Sequence, residues 1–180
     1  MRTPMLVLIL AAIGGGPALA QPAPAAGGAI SQAVRDDWGR AIRNLRESAD
    51  QMPADGYAFK PVDTVRTFGQ VIAHVAGVNY IYCGAAMSDK TPRQEDAIEK
   101  GATTKDAIVK ALGESIAYCD KAYTALTDAT AGQQVDLPFN QGKGPGISLL
   151  LGNISHVNEH YGNLVTYFRV KGMVPPSSKQ

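Results

Sequence analysis

The chain has 180 residues, 17 basic and 16 acidic, and 45% of it is apolar. That length supports one domain with a real hydrophobic core. The even charge balance excludes the electrostatic footprint that nucleic acid or an anionic membrane surface requires, so no nucleic-acid partner is expected.

The first twenty residues read as a targeting segment rather than as fold. Arg2 supplies a positive start, Met5 to Ile13 is an unbroken apolar run, and Ala18-Leu19-Ala20 fits a signal-peptidase site before Gln21. A run this short does not span a bilayer permanently, and no cysteine follows the cleavage site to carry a lipid. The expectation is a signal peptide over 1–20, an exported protein, periplasmic or secreted, and no stable membrane anchor. Residues 21–30, opening QPAPAAGG, read as a flexible tether, which leaves 31–178 as the folded domain.

Four segments carry helical periodicity. The first runs from Ser31, a plausible N-cap, to Met52, with Val34, Trp38, Ile42 and Leu45 on one stripe. Pro53 ends it, and Gly56 and Pro61 mark a turn-rich connection. The second spans Thr67 to Met87 and is apolar on most sides, as suits a helix inside a bundle. A long polar connection follows, from Ser88 to Thr103. The third spans Thr104 to Ala129, with Ile108, Leu112, Ile116, Cys119, Tyr123 and Leu126 as its stripe. Ala131 to Gly146 reads as a long Gly/Pro-rich loop whose centre, Leu137-Pro138-Phe139, could fold inward as a lid. The fourth helix runs from Ile147 to Lys171, stopped by Gly172 and Pro175-Pro176. No alternating β-branched runs appear, so no sheet is expected; the pattern is all-α, a four-helix bundle.

The chain contains three histidines. His156 and His160 stand four apart on the fourth helix and so share a face, within reach of one ion. His74 lies midway along the second helix among Val71, Ile72, Val75 and Val78. A bundle core is where facing helices build metal sites, so the three form a candidate ligand set; three surface or core histidines are the other reading of the pattern.

The segment Phe68-Gly69-Gln70-Val71-Ile72-Ala73-His74-Val75-Ala76, with the run from Ser155 through His156, Glu159, His160, Asn163 and Tyr167 to Arg169, resembles the DinB-like superfamily. The closing stretch Lys171 to Ser178 fits its exported bacterial members. The resemblance covers the whole expected domain. It implies an up-down-down-up bundle and one divalent metal ion (zinc, nickel or iron) on His74, His156 and His160. Further positions on the ion would go to water or substrate. Some relatives are thiol-dependent transferases or isomerases.

The implied topology makes the second and third helices parallel. Cys83 and Cys119 then stand at nearly equal height, 16 residues past Thr67 and 15 past Thr104. Two cysteines in an exported protein favour pairing, so a Cys83–Cys119 disulfide is expected.

His156 to His160 also spells the inverted zinc-peptidase string His-x-x-Glu-His, but no acidic residue follows Glu159 to complete that ligand set. Glu159 and Tyr167 are the candidates for proton transfer, and Gln70 and Asn163 for orienting a bound molecule; each is equally readable as a structural polar contact. Ser115 and Ser155 lack a free His/Asp arrangement, and Gly142 to Gly146 lacks the Gly-Lys-Ser/Thr of a phosphate loop. Two functions remain open. One is a metal-dependent hydrolase, or a transferase of thiols or small electrophiles, acting on a small-molecule substrate. The other is a non-catalytic, stress-related or metal-binding bundle. Gly152 and Gly162 would permit close helix approach, within the bundle or in a homodimer.

Overall fold

The computed structural model describes residues 27–90 and 94–179; the expected signal peptide and most of the tether lie outside the described residues. Four long helices, α1 (Gly28–Gln51), α2 (Phe68–Ala86), α4 (Lys105–Ala125) and α5 (Gly146–Val170), form the bundle, and a short α3 (Ala97–Gly101) interrupts the connection between α2 and α4. Local sequence accounts for the helix starts. Thr67 and Gln70 close a capping box on α2, each side chain satisfying the other's backbone N–H. The Thr104 hydroxyl accepts from Ala107 N–H at the start of α4. Gly172 takes φ 68° just after α5, a conformation glycine adopts without strain.

Helices α1 and α2 each pack against both α4 and α5. Contacts fix the directions. Asn79 meets Ser115 and Cys83 is bonded to Cys119, the same one-turn step along α2 and α4, so these helices are parallel. Phe68 meets Phe168 while Asn153 meets Cys83, so α2 and α5 are antiparallel. Lys105 bonds the carbonyls of Asp50 and Met52 while Trp38 bonds Asp120, so α1 and α4 are antiparallel too. The result is the up-down-down-up order. The core is drawn from all four long helices, with Leu45, Phe68, Ile72, Ile116, Leu164 and Phe168 fully buried. Trp38 stacks on Tyr123 with ring centroids 4.4 Å apart. The expected disulfide is present at a Cα–Cα distance of 5.2 Å.

Several expectations need correction. Helix α1 begins at Gly28, so Ser31 lies inside it rather than capping it. Helix α4 ends at Ala125, not at Ala129. There Thr127 and Thr130 exchange side-chain-to-backbone hydrogen bonds, which draw the chain into a turn in competition with the helix. The Gly/Pro-rich segment is not all loop: β1 (Gln134–Asp136) pairs antiparallel with β2 (Lys143–Pro145). Three-residue strands are too short to leave a period in the sequence. Leu137 and Pro138 rest near Tyr80, Ile81 and Gly84 towards the C-terminal end of α2, so this hairpin is no lid over the histidines. Gly152 does admit close packing, since a Cβ there would lie 3.2 Å from the Tyr82 ring, whereas Gly162 faces open space. Among the described residues no helix is long and apolar enough to cross a membrane.

Candidate metal centre

Antiparallel packing of α2 on α5 brings the three histidines together. His156 Nε2 lies 3.2 Å from His74 Nε2 and 3.1 Å from His160 Nε2. One ring nitrogen from each of the three lies within 4.8 Å of the others. His74 is buried, and the other two are partly buried.

This donor set fits a cation. A neutral imidazole nitrogen carries one N–H or one lone pair, so His156 Nε2 cannot form a good hydrogen bond to both neighbours at once. A central ion satisfies all three nitrogens, and tetrahedral bonds of about 2.1 Å place ligand nitrogens roughly 3.4 Å apart. The electrostatics agree with that. Burial lowers the proton affinity of every ring; His156, which also faces repulsion from His160 and His74, is pushed to about 3, and His160 is lowered further by His74. The Arg66 guanidinium acts in the same direction on all three. The lone pairs a metal needs are therefore free at neutral pH.

A cleft of about 730 Å³ opens beside His160, lined among others by Val65, Arg66, Val71, Asn163, Thr166 and Tyr167. Of the remaining sequence candidates, two are in this cleft. Asn163 sits at its mouth with Nδ2 3.4 Å from His160 Nδ1. Tyr167 lines it too, but its hydroxyl donates to the Arg66 carbonyl, and burial raises its pKa. Glu159 is exposed on α5; its charge favours protonation of His74 and His160, against the larger effect of burial. Gln70 is exposed and closes the capping box of α2 with Thr67.

Sequence reasoning missed Arg66, Glu95 and Glu99. Glu95 Oε1 approaches His74 Nδ1 at 3.5 Å and Glu99 Oε2 at 4.0 Å, and Arg66 Nε pairs with Glu99 at 3.1 Å. All three lie in connections without periodicity. The available signal was the acidic cluster Glu95-Asp96 and Glu99 within a connection long enough to fold back across α2.

Comparison with known proteins bears on fold and family. A DinB-like protein from Bacillus cereus superposes with a TM-score of 0.62 at 16% identity, over 81% of this chain and 95% of that one. A DinB-like protein from Bacillus subtilis gives 0.60 at 19% identity, over 79% and 94%. A mycothiol-dependent maleylpyruvate isomerase gives 0.62 at 16% identity over 74% of this chain; the match spans only 60% of that enzyme. No curated protein matches the chain. The family model of the DinB superfamily matches residues 32–164, a stretch that covers α2 and α4, most of α1 and α5, and all three histidines, and the chain belongs to the DinB superfamily.

Proposed function

We propose that this protein binds one divalent metal ion, zinc, nickel or iron, on His74, His156 and His160, and acts on a small molecule seated in the cleft beside His160. The observation that carries this reading is the convergence of three Nε2 atoms, with His156 Nε2 at 3.1 and 3.2 Å from its two neighbours. A bound ion supplies Lewis acidity and, with three protein ligands, a free coordination position. The chain's own residues do the rest. Val65 and Val71 provide an apolar wall, Asn163 and Thr166 offer hydrogen bonds, and the Arg66–Glu99 pair closes one side. Asn163 is placed to orient a polar group arriving at His160.

Two reaction classes suit such a cleft: hydrolysis, and transfer or isomerisation through a small thiol. Likeness to a structure named as a mycothiol-dependent maleylpyruvate isomerase supports the second. The other reading, a non-catalytic metal-binding bundle, draws on one observation: Tyr167 gives its hydroxyl hydrogen to a backbone carbonyl rather than to the cleft.

Metal content by mass spectrometry on untagged protein tests the binding reading. About one equivalent is expected in the parent and none in a His156→Ala, His160→Ala double variant. No metal in the parent after supplementation would overturn it. Cobalt substitution then separates catalyst from carrier, because azide or thiolate entering a free coordination position changes the visible spectrum, and an unchanged spectrum favours the carrier.

A further inference from the structure

The connection from α2 to α4 presses against α2 at Gly77. A Cβ at that position would run into the Glu95 carbonyl oxygen, a backbone atom that cannot swing aside, so the close approach needs glycine. Three residues earlier on the same helix is His74. Its Nδ1 is buried and has no hydrogen-bond partner among the described residues, yet Glu95 Oε1 stands 3.5 Å away and Glu99 Oε2 4.0 Å away. Glu99 is only 15% exposed and is tied to Arg66, whose Nε lies 3.1 and 3.3 Å from its two oxygens. Two carboxylates of one short segment therefore face the far nitrogen of one ligand candidate. His156 Nδ1 is also buried, and among the described residues it has no hydrogen-bond partner and no carboxylate within ion-pair distance.

We infer that residues 94–101 form a positioning strap, in which Glu95, seated by Gly77 and flanked by the Glu99–Arg66 pair, accepts the Nδ1–H of His74 and thereby holds the Nε2 lone pair toward His156 and His160. A neutral imidazole keeps its proton on one nitrogen or the other, and the hydrogen bond at one end selects the donor atom at the other. A carboxylate at Nδ1 selects the tautomer a metal requires and makes Nε2 a stronger donor. The gap of 3.5 Å closes readily, because a cation on Nε2 polarises the Nδ1–H and strengthens its pull on Glu95. The surroundings of His74 favour Glu95 as the acceptor. Arg66 is already paired with Glu99, and Glu159 is exposed on α5. The inference rests on the metal reading of the three histidines, but its first readout does not need the metal.

The experiment is long-range ¹⁵N–¹H correlation of the His74 ring in the metal-free protein, with zinc affinity measured on the same samples by chelator competition. The parent is compared with Glu95→Ala and Glu95→Gln. Glu95 is 44% exposed, so neither change threatens the core, and far-UV circular dichroism checks the fold. The parent is expected to carry its proton on Nδ1. Glu95→Ala is expected to mix the tautomers and weaken zinc binding about 10–100-fold, while Glu95→Gln, whose amide oxygen still accepts, retains most of both. A parent ring protonated on Nε2, or a Glu95→Ala variant with parental tautomer and zinc affinity, overturns the strap. A parent that binds no zinc overturns the metal reading instead, and the tautomer still decides on Glu95.

Discussion

Asp128, in the turn after α4, accepts the backbone N–H of Ser31 at 2.7 Å and that of Ile30 at 3.3 Å, across 97 residues of sequence. The first turn of α1 thus receives its cap from another part of the chain. Its own preceding residue is Gly27, which has no side chain to offer. These N–H donors also hold the Asp128 carboxyl below the usual carboxylate range. Asp128→Ala is expected to lower Tm by a few degrees and to speed amide exchange at Ser31 and its neighbours while α5 stays protected. Hydrogen exchange read by mass spectrometry checks this, and uniform loss of protection would show that the cap is not local.

Metal binding should also be visible as stability, because the histidines join α2 to α5. Zinc at a hundredfold excess over its Kd is expected to add about 2.7 kcal/mol. That corresponds to roughly 2–4 °C of Tm per kcal/mol for a domain of this size. A chelator should reverse the gain, and His156→Ala should abolish it. Differential scanning calorimetry with and without zinc measures all three.

Cys83 and Cys119 close a loop of 36 residues and are fully buried. A Cys83→Ser, Cys119→Ser double variant is expected to lose roughly 2–4 kcal/mol, chiefly through freedom regained by the unfolded chain. Urea unfolding of the two proteins gives the difference. A loss well below 1 kcal/mol would mean that the packing of α2 on α4 alone fixes their alignment.

Gly77→Ala should lift the strap from α2, because the new Cβ meets backbone rather than a flexible side chain. A loss of about 1–3 kcal/mol is expected, as for other overpacked contacts. Protease sensitivity around Glu95 should rise in step, and limited proteolysis followed by mass spectrometry reports on both.

The hairpin has its own pH dependence. Lys143 and Lys90, at 2.8 and 2.7 Å, hold the Asp136 carboxyl down to about 2. A carboxylate depressed in the folded state stabilises fully above its ordinary value and loses that contribution as pH falls toward its folded value. The β1–β2 pairing is therefore expected to persist at pH 5 and to fray between roughly pH 4 and 2. Amide chemical shifts of Val135 and Gly144 follow the change, and Asp136→Asn should remove the pH step.

What was legible in the sequence depended on periodicity and on rare chemistry. The four long helices announced themselves through apolar stripes such as Val34, Trp38 and Leu45, and a motif of three histidines stands out because so few residue types bind metal at a shared face. Thr67-x-x-Gln70 is a capping-box signature in plain view, so the structural use of Gln70 was readable too. The contacts of Asp128, Glu95 and Glu99 were not readable. Each bridges a turn or connection to a distant helix, and no spacing rule links residues across such a loop. The β1–β2 ribbon escaped because strands of three residues are too short to show an alternating pattern.

The order of the elements gives the crossing connection an unusual tolerance. Cys83 precedes it and Cys119 follows it, so the disulfide spans the whole segment from α2 to α4. A single peptide-bond cut anywhere between them leaves two pieces that remain one covalent molecule. His74 travels with the first piece, and His156 and His160 with the second. The donor set would thus be shared between fragments held by one bond, and reduction of that bond would convert a silent nick into dissociation.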